Sequence, residues 1–323
     1  MLNLPKQITI SEVGPRDGLQ SLDRWIDTDT KIAMIDRLSR AGFPVIEITG
    51  FVRSSVIPNL KDAEEVCARI ERRPGTVYRA LVPNARGAER AVGSRLDELL
   101  GLITVSESYL RKNQNMTMDE AIDQGIQCFR IAEGAGMGFV MALGVAMWCA
   151  YEGPIPPDKT MAVLRRFREG GIRRFYLAGS MGMEDPVMVS SLFRRAAKEF
   201  PDCEFGYHVH NLSGHGTANV LAAVDAGATF IEGSICGIGG GIAMPTSVAS
   251  VGNLPTEDLV TLFESMGVRT GVSPEEAVAA SREIAAMLGI QAGSHAAQIG
   301  TRTQLFEQGQ RNPRNPQTAP KAA

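Results

Sequence analysis

A parallel eight-stranded (β/α)8 barrel is the fold the sequence predicts. Three observations carry this: eight short apolar runs alternate with longer helical patterns, polar residues follow nearly every run, and no Gly-x-Gly-x-x-Gly follows the first run. Strands joined through helices require right-handed crossovers and so lie parallel, and eight of them close most naturally into a barrel. A doubly wound sheet is the competitor, and the missing glycine fingerprint disfavours it. With 323 residues the chain is long enough for one large core.

The elements are expected in this order. Ile8 to Val13 reads as the first strand. A helix follows over Thr28 to Ala41, with Ile32, Ile35 and Leu38 on one stripe and Gly42 at its end. Val45 to Thr49 is a buried strand, Lys61 to Ile70 a helix, Val77 to Val82 a strand and Gly87 to Val92 a short helix. Glu98 to Val105 and Phe139 to Val145 are strands on either side of a helix over Met118 to Gly134. Helices over Pro157 to Glu169, Pro186 to Glu199 and Thr217 to Ala226 lead into strands at Arg174 to Ala178, Glu204 to Val209 and Thr229 to Ser234. Further helices over Thr256 to Met266 and Ser273 to Leu288 are expected on the barrel's outside. The expected organisation is a barrel domain over 1–272, a packed helical extension over 273–308 and a structureless tail over 309–323, which is rich in Pro, Asn and Gln.

Composition narrows the function. Charged residues make up 21% and the formal net charge is −3, so no polyanion-binding surface and no nucleic-acid partner is implied. The five cysteines are scattered without Cys-x-x-Cys spacing, which argues against a disulfide scaffold and against a structural zinc site. The most apolar stretch, Phe139 to Ala150, is too short to span a bilayer. A soluble cytoplasmic protein with reduced thiols and no membrane partner is expected.

The densest chemical signal is Tyr207-His208-Val209-His210-Asn211. Side chains alternate along a strand, so His208 and His210 share a face. They are either two half-buried histidines with ordinary hydrogen bonds or half of a metal site. In a barrel every post-strand segment gathers at one mouth, which brings Gly14-Pro15-Arg16-Asp17-Gly18, the exit of the first strand, to the same place. By itself that run is an Asp-Gly turn with a surface arginine. Beside the histidines it supplies a carboxylate that makes a mixed oxygen and nitrogen donor set for a divalent ion, with Arg16 as a fixed positive charge for an oxyanion or enolate.

The runs Gly-Pro-Arg-Asp-Gly-Leu-Gln at 14–20, Val-Ile-Glu-Ile-Thr-Gly-Phe-Val at 45–52, Val82-Pro-Asn84, Tyr151-Glu-Gly153, His-Val-His and Gly252-Asn253-Leu-Pro-Thr-Glu-Asp-Leu259 closely resemble 3-hydroxy-3-methylglutaryl-CoA lyase. The wider group is the metal-dependent carbon–carbon lyases and Claisen-type synthases. The resemblance implies Asp17, His208, His210 and Asn253 as ligands of Mg2+ or Mn2+, Arg16, Glu47 and His208 as catalytic residues, and Gln20, Gly239, Gly240 and Gly241 in the substrate loop. It also implies an acyl-CoA or hydroxy/oxo acid substrate cleaved by retro-Claisen chemistry and a homodimer or higher oligomer. A 4-hydroxy-2-oxo acid aldolase, a Claisen-type acyl transferase and a non-catalytic metal-binding barrel are the alternatives.

Departures from the family pattern matter as well. The family's loop cysteine after Gly-Gly is Gly241 here, the Gly-Asp-Thr of strand six is Ala178-Gly179-Ser180, and the residue after the second histidine is Asn211 instead of Asp. Possible replacement proton donors are Ser213, His215 and Cys236. Cys236 is otherwise a buried apolar filler and His215 a helix cap. The glycine run at 237–241 is either a mobile lid or a static tight turn.

Overall fold

The computed structural model of the protein describes residues 2–240 and 252–311. Eight parallel strands close into a barrel: β1 (Thr9–Glu12), β2 (Val45–Gly50), β3 (Val77–Val82), β4 (Glu98–Thr104), β5 (Gly138–Gly144), β6 (Arg174–Gly179), β7 (Glu204–Val209) and β8 (Phe230–Gly233). Each strand pairs with the next, and β8 closes on β1 through Thr9 opposite Phe230 to Glu12 opposite Gly233. The helices between them are α1 (Thr28–Ala41), α2 (Ala63–Arg69), α3 (Ala85–Val92), α4 (Glu107–Gln114), α5 (Met118–Gly134), α6 (Pro157–Glu169), α7 (Pro186–Glu199) and α8 (Gly216–Asp225).

Local chemistry sets the ends of these helices. Asp27 caps α1 by accepting from the Thr30 amide at 2.9 Å, and Gly42, at φ 89, takes the left-handed position that ends it. Thr117 and Glu120 form a reciprocal capping box at the start of α5. The sequence reading lacked α4. It is short, begins where Ser106 Oγ accepts from the Tyr109 amide at 3.1 Å, and has no apolar stripe long enough to show as a period.

Two apolar clusters hold the barrel. The larger lies between strands and helices and contains the outward-facing residues of the strands, such as Tyr78, Leu99, Met141, Leu177 and Tyr207. The smaller fills the inside with Leu81, Leu100, Val140, Ala142, Tyr176 and Phe230. On β7 the inward position next to Phe230 is Gly206, because a methyl group there would overlap the Phe230 ring. Interleaved with these apolar residues are polar inward positions, with Ser11, Glu47, Arg79, Glu98, His208 and Glu232 all buried. A barrel interior built only for stability would not bury an arginine and three carboxyl side chains in this way.

At the C-terminal side, α9 (Thr256–Ser265) and α10 (Pro274–Leu288) pack on the barrel, α10 lying against α1. They are followed by α11 (His295–Ile299) and α12 (Arg302–Arg311). The structure departs from the expectation at two points here. No side chain of α12 is buried, and α12 runs through 309–311, where no structure was expected. The rest of that tail, 312–323, lies outside the described residues, and so does Gly241.

Candidate active site

The loop after β1 is a single π-helical turn, Gly14–Gly18, in which the Arg16, Asp17 and Gly18 amides all donate to the Val13 carbonyl at 2.8–3.3 Å. This winding turns Arg16 and Asp17 into the mouth, where both are buried. His208 and His210 arrive from the end of β7, with ring centroids 5.0 Å apart. Ligand atoms of Asp17, His208 and His210 all lie within 4.8 Å of one another. Asn253 lies beside His210, bridged to it through the backbone. Its Nδ2 donates to Asp17 Oδ2 at 2.7 Å and to the Ile238 carbonyl at 3.2 Å.

The partners of these groups show which atoms are spoken for. Asp17 Oδ1 accepts from Arg16 Nη1 at 2.6 Å and from Gln20 Nε2 at 2.7 Å. Arg16 Nε donates to Glu47 Oε1. His208 Nδ1 meets Glu232 Oε2 at 2.9 Å, so its Nε2 is the nitrogen left for other contacts. Both ring nitrogens of His210 and Asn253 Oδ1 are buried without a hydrogen-bond partner. Such atoms are expensive to leave alone inside a protein, and a cation bound between them would satisfy them. Burial by itself would raise the Asp17 pKa, but Arg16 and the two imidazoles outweigh it and hold the carboxyl well below the usual range. An ionised carboxylate, two imidazoles and an amide oxygen fit a hard divalent ion with positions left over for substrate.

A cavity of about 1100 Å³ opens above these groups and is lined by Arg16, Asp17, Gln20, His208, His210 and Glu232 at its base. Its wall is apolar at Leu81, Leu100, Leu102 and Ala142, and Arg53, Lys61, Arg86, Arg90 and Lys112 lie around it.

The remaining expected site residues fall elsewhere. Cys236 has left-handed backbone, φ 61, and its thiol lies 3.2 Å from the Ser281 carbonyl on α10, behind β8. Burial, with Glu257 nearby, pushes that thiol up to about 12. His215 is exposed at the start of α8 and makes no side-chain cap bond there. Ser213 Oγ accepts from the His215 amide at 3.3 Å. None of these three lines the cavity. Gly239 and Gly240, at φ 145 and 149, sit in backbone that favours glycine, and a Cβ on Gly239 would run into Asn253.

Sequence reasoning passed over Arg79 and Glu232. Glu232 carries the hydrogen bond that orients His208, and Arg79 bonds Glu232 in turn. A parity signal was available. Glu232 and Arg79 each interrupt an apolar run at an inward position, where a charge needs a partner.

Fold and donor set define a class: barrel enzymes that hold a divalent ion at the mouth and make or break carbon–carbon bonds beside it. A family profile described as HMGL-like matches residues 7–284. The chain belongs to the HMGL-like family, which depends on a divalent metal, and its hydroxymethylglutaryl-CoA lyase homologues are carbon–carbon lyases of the oxo-acid class. It is 36% identical to a hydroxymethylglutaryl-CoA lyase of Bacillus subtilis over 88% of this chain and 94% of that one. It is 34% identical to the mitochondrial hydroxymethylglutaryl-CoA lyase of Homo sapiens over 92% of this chain and 91% of that one. A solved HMG-CoA lyase from Acinetobacter baumannii, in complex with coenzyme A and 3-methylmalate, superposes with a TM-score of 0.87 at 33% identity, covering 93% of this chain and 97% of that one.

Proposed function

We propose that the protein cleaves 3-hydroxy-3-methylglutaryl-CoA, or a close 3-hydroxyacyl-CoA analogue, into an acyl-CoA and a keto acid. The observation that carries this is the buried set of Asp17, His210 and Asn253 beside Arg16, with the His210 nitrogens and Asn253 Oδ1 lacking a hydrogen-bond partner and His210 Nε2 3.6 Å from Asp17 Oδ2. Asp17, His208, His210 and Asn253 would hold Mg2+ or Mn2+, which when bound lowers the pKa of a chelated hydroxyl and fixes its geometry.

The chain's own groups supply the rest. Arg16, held from one side by Glu47 and from the other by Asp17, presents a fixed positive charge at the cavity base. A thioester carbonyl seated there gains more from that charge as it becomes an enolate, which is differential stabilisation of the transition state. With Nδ1 engaged by Glu232, His208 has one nitrogen for the mouth, so metal ligation and proton transfer compete for Nε2. Because Ser213, His215 and Cys236 stand off the cavity, the enolate's proton is sought among hydroxyls that line it, Thr104, Tyr109 and Ser180.

Arg53, Lys61 and Arg86 form no ion pair among the described residues, which suits the phosphates of coenzyme A at the rim. A homodimer or higher oligomer belongs to this reading; the exposed Leu305 and Phe306 of α12, a helix with no buried side chain, are compatible with it, and light scattering tests it. A cytoplasmic location is supported by the free cysteines. We take 1–272 as the barrel domain and the helices from 273 on as its extension, which runs past 308 because α12 ends at Arg311.

The test is to incubate the purified protein with 3-hydroxy-3-methylglutaryl-CoA and Mn2+ or Mg2+ and follow acetyl-CoA and acetoacetate, alongside a panel of other 3-hydroxyacyl-CoA thioesters and 4-hydroxy-2-oxo acids. Cleavage of a thioester that chelator abolishes is the expected result. Activity on the oxo acids alone would overturn the reading.

A further inference from the structure

Arg79 has no part in the chemistry above, yet it is among the most buried charged groups of the barrel, 1% exposed. On β3 it stands in register between Glu47 of β2 and Glu98 of β4. Its Nη2 lies 3.0 Å from Glu47 Oε2 and also pairs with Glu232 Oε1, while Nη1 lies 3.5 Å from Glu98 Oε1. Nη1 further donates to the Tyr176 hydroxyl at 3.3 Å, and that hydroxyl donates to Ser11 Oγ at 3.0 Å. Arg79 touches no candidate metal ligand and does not line the cavity.

Its partners reach the site from two directions. Glu47 holds Arg16 through Nε, and Glu232 holds His208 through Nδ1. We propose that Arg79 is a positioning residue that ties these two arms together, fixing Arg16 and His208 relative to each other from the centre of the barrel. Only a planar guanidinium can do this. It offers five donors in a rigid plane and so spans carboxylates arriving from β2, β4 and β8, whereas a lysine ammonium meets them at one point. Removing it would leave Glu47 and Glu232 buried without their shared partner, and buried charges without partners rearrange.

The inference rests on the proposed lyase reading for its activity readout, so two readouts independent of turnover accompany it. These are Mn2+ affinity, by electron paramagnetic resonance or calorimetry, and the tautomer of His208 in the metal-free protein, by nitrogen-15 NMR. Arg79→Met is expected to lower the turnover number and the Mn2+ affinity each by about tenfold or more, the loss typical of groups that orient metal ligands. It should also abolish the single Nδ1–H tautomer of His208. Arg79→Lys should recover less than half of either loss. If Arg79→Met fails to fold, Arg79→Met with Glu98→Gln removes a carboxylate together with the guanidinium and answers the same question. A lower melting temperature with Mn2+ affinity, tautomer and turnover all within about twofold of the parent would overturn the inference and leave Arg79 an ordinary core ion pair. Loss in only one arm would equally overturn the coupling. Should the parent protein not cleave the thioester, the functional reading fails, while Mn2+ affinity and tautomer still decide the role of Arg79.

Discussion

Glu232 and His208 face each other on neighbouring strands at 2.9 Å, and this contact decides which nitrogen of the imidazole is available to the active-site mouth. The carboxylate fixes Nδ1 as the hydrogen-bonded atom, and Nε2 keeps its lone pair for the site. The chemistry of the barrel mouth therefore depends on a residue outside the candidate metal-ligand set.

Replacing Glu232 by Gln should weaken Mn2+ binding by about 10- to 100-fold, because the imidazole loses the anion that orients it and raises its basicity. Calorimetry on the folded variant checks this. Unchanged affinity would show that strand geometry alone orients His208.

Arg16→Met should reduce turnover by about 10²-fold or more, since a charge aimed at the developing enolate is lost. Arg16 also bonds Asp17, so a smaller loss of metal affinity is expected beside it. Steady-state kinetics at saturating Mn2+ separates the two effects. If saturating metal restores turnover, Arg16 serves only Asp17.

Three buried carboxyls give the metal-free protein a pH-dependent stability. Burial pushes Glu12 up to about 8, and Glu184 and Glu257 up to about 7. In the unfolded chain each titrates near the ordinary glutamate value of about 4.3. Between the two values the folded state holds protons that the unfolded state has released, so stability falls as pH rises from about 4.5 to 8 and levels off above. Calorimetric melting across that range should show a falling Tm, with a shallower slope for Glu12→Gln. A Tm that rises through this window contradicts the assignment.

Gly206→Ala should destabilise the fold by roughly 1–3 kcal/mol, as overpacking a full core does, because its methyl group meets the Phe230 ring. Adding Phe230→Leu should recover part of the loss. Equal stability of Gly206→Ala and the parent in urea would refute the packing argument.

Iodoacetamide applied to the native protein near neutral pH should label Cys203 and spare Cys67, Cys128, Cys149 and Cys236, which are buried. Activity should survive, since no described thiol lines the cavity. Peptide mass mapping gives the pattern. Inactivation tracking with Cys236 would mean that the β8 exit opens in solution and brings this thiol to the reaction.

Some of this was written locally and could be read directly. The alternation of strands and helices, the shared face of His208 and His210, and the adjacency of Arg16 and Asp17 depend on periods of two and 3.6 residues and on a short turn. Tertiary structure alone decided the rest. Whether Cys236 faces the mouth or α10 turns on one left-handed residue, φ 61, which composition does not announce. Arg79 meets Glu232 across 153 residues, and Asn253 meets Asp17 across 236. Those meetings exist because the barrel closes with a particular stagger between strands, and stagger arises from the packing of all eight strands together. No single stretch of the chain contains it.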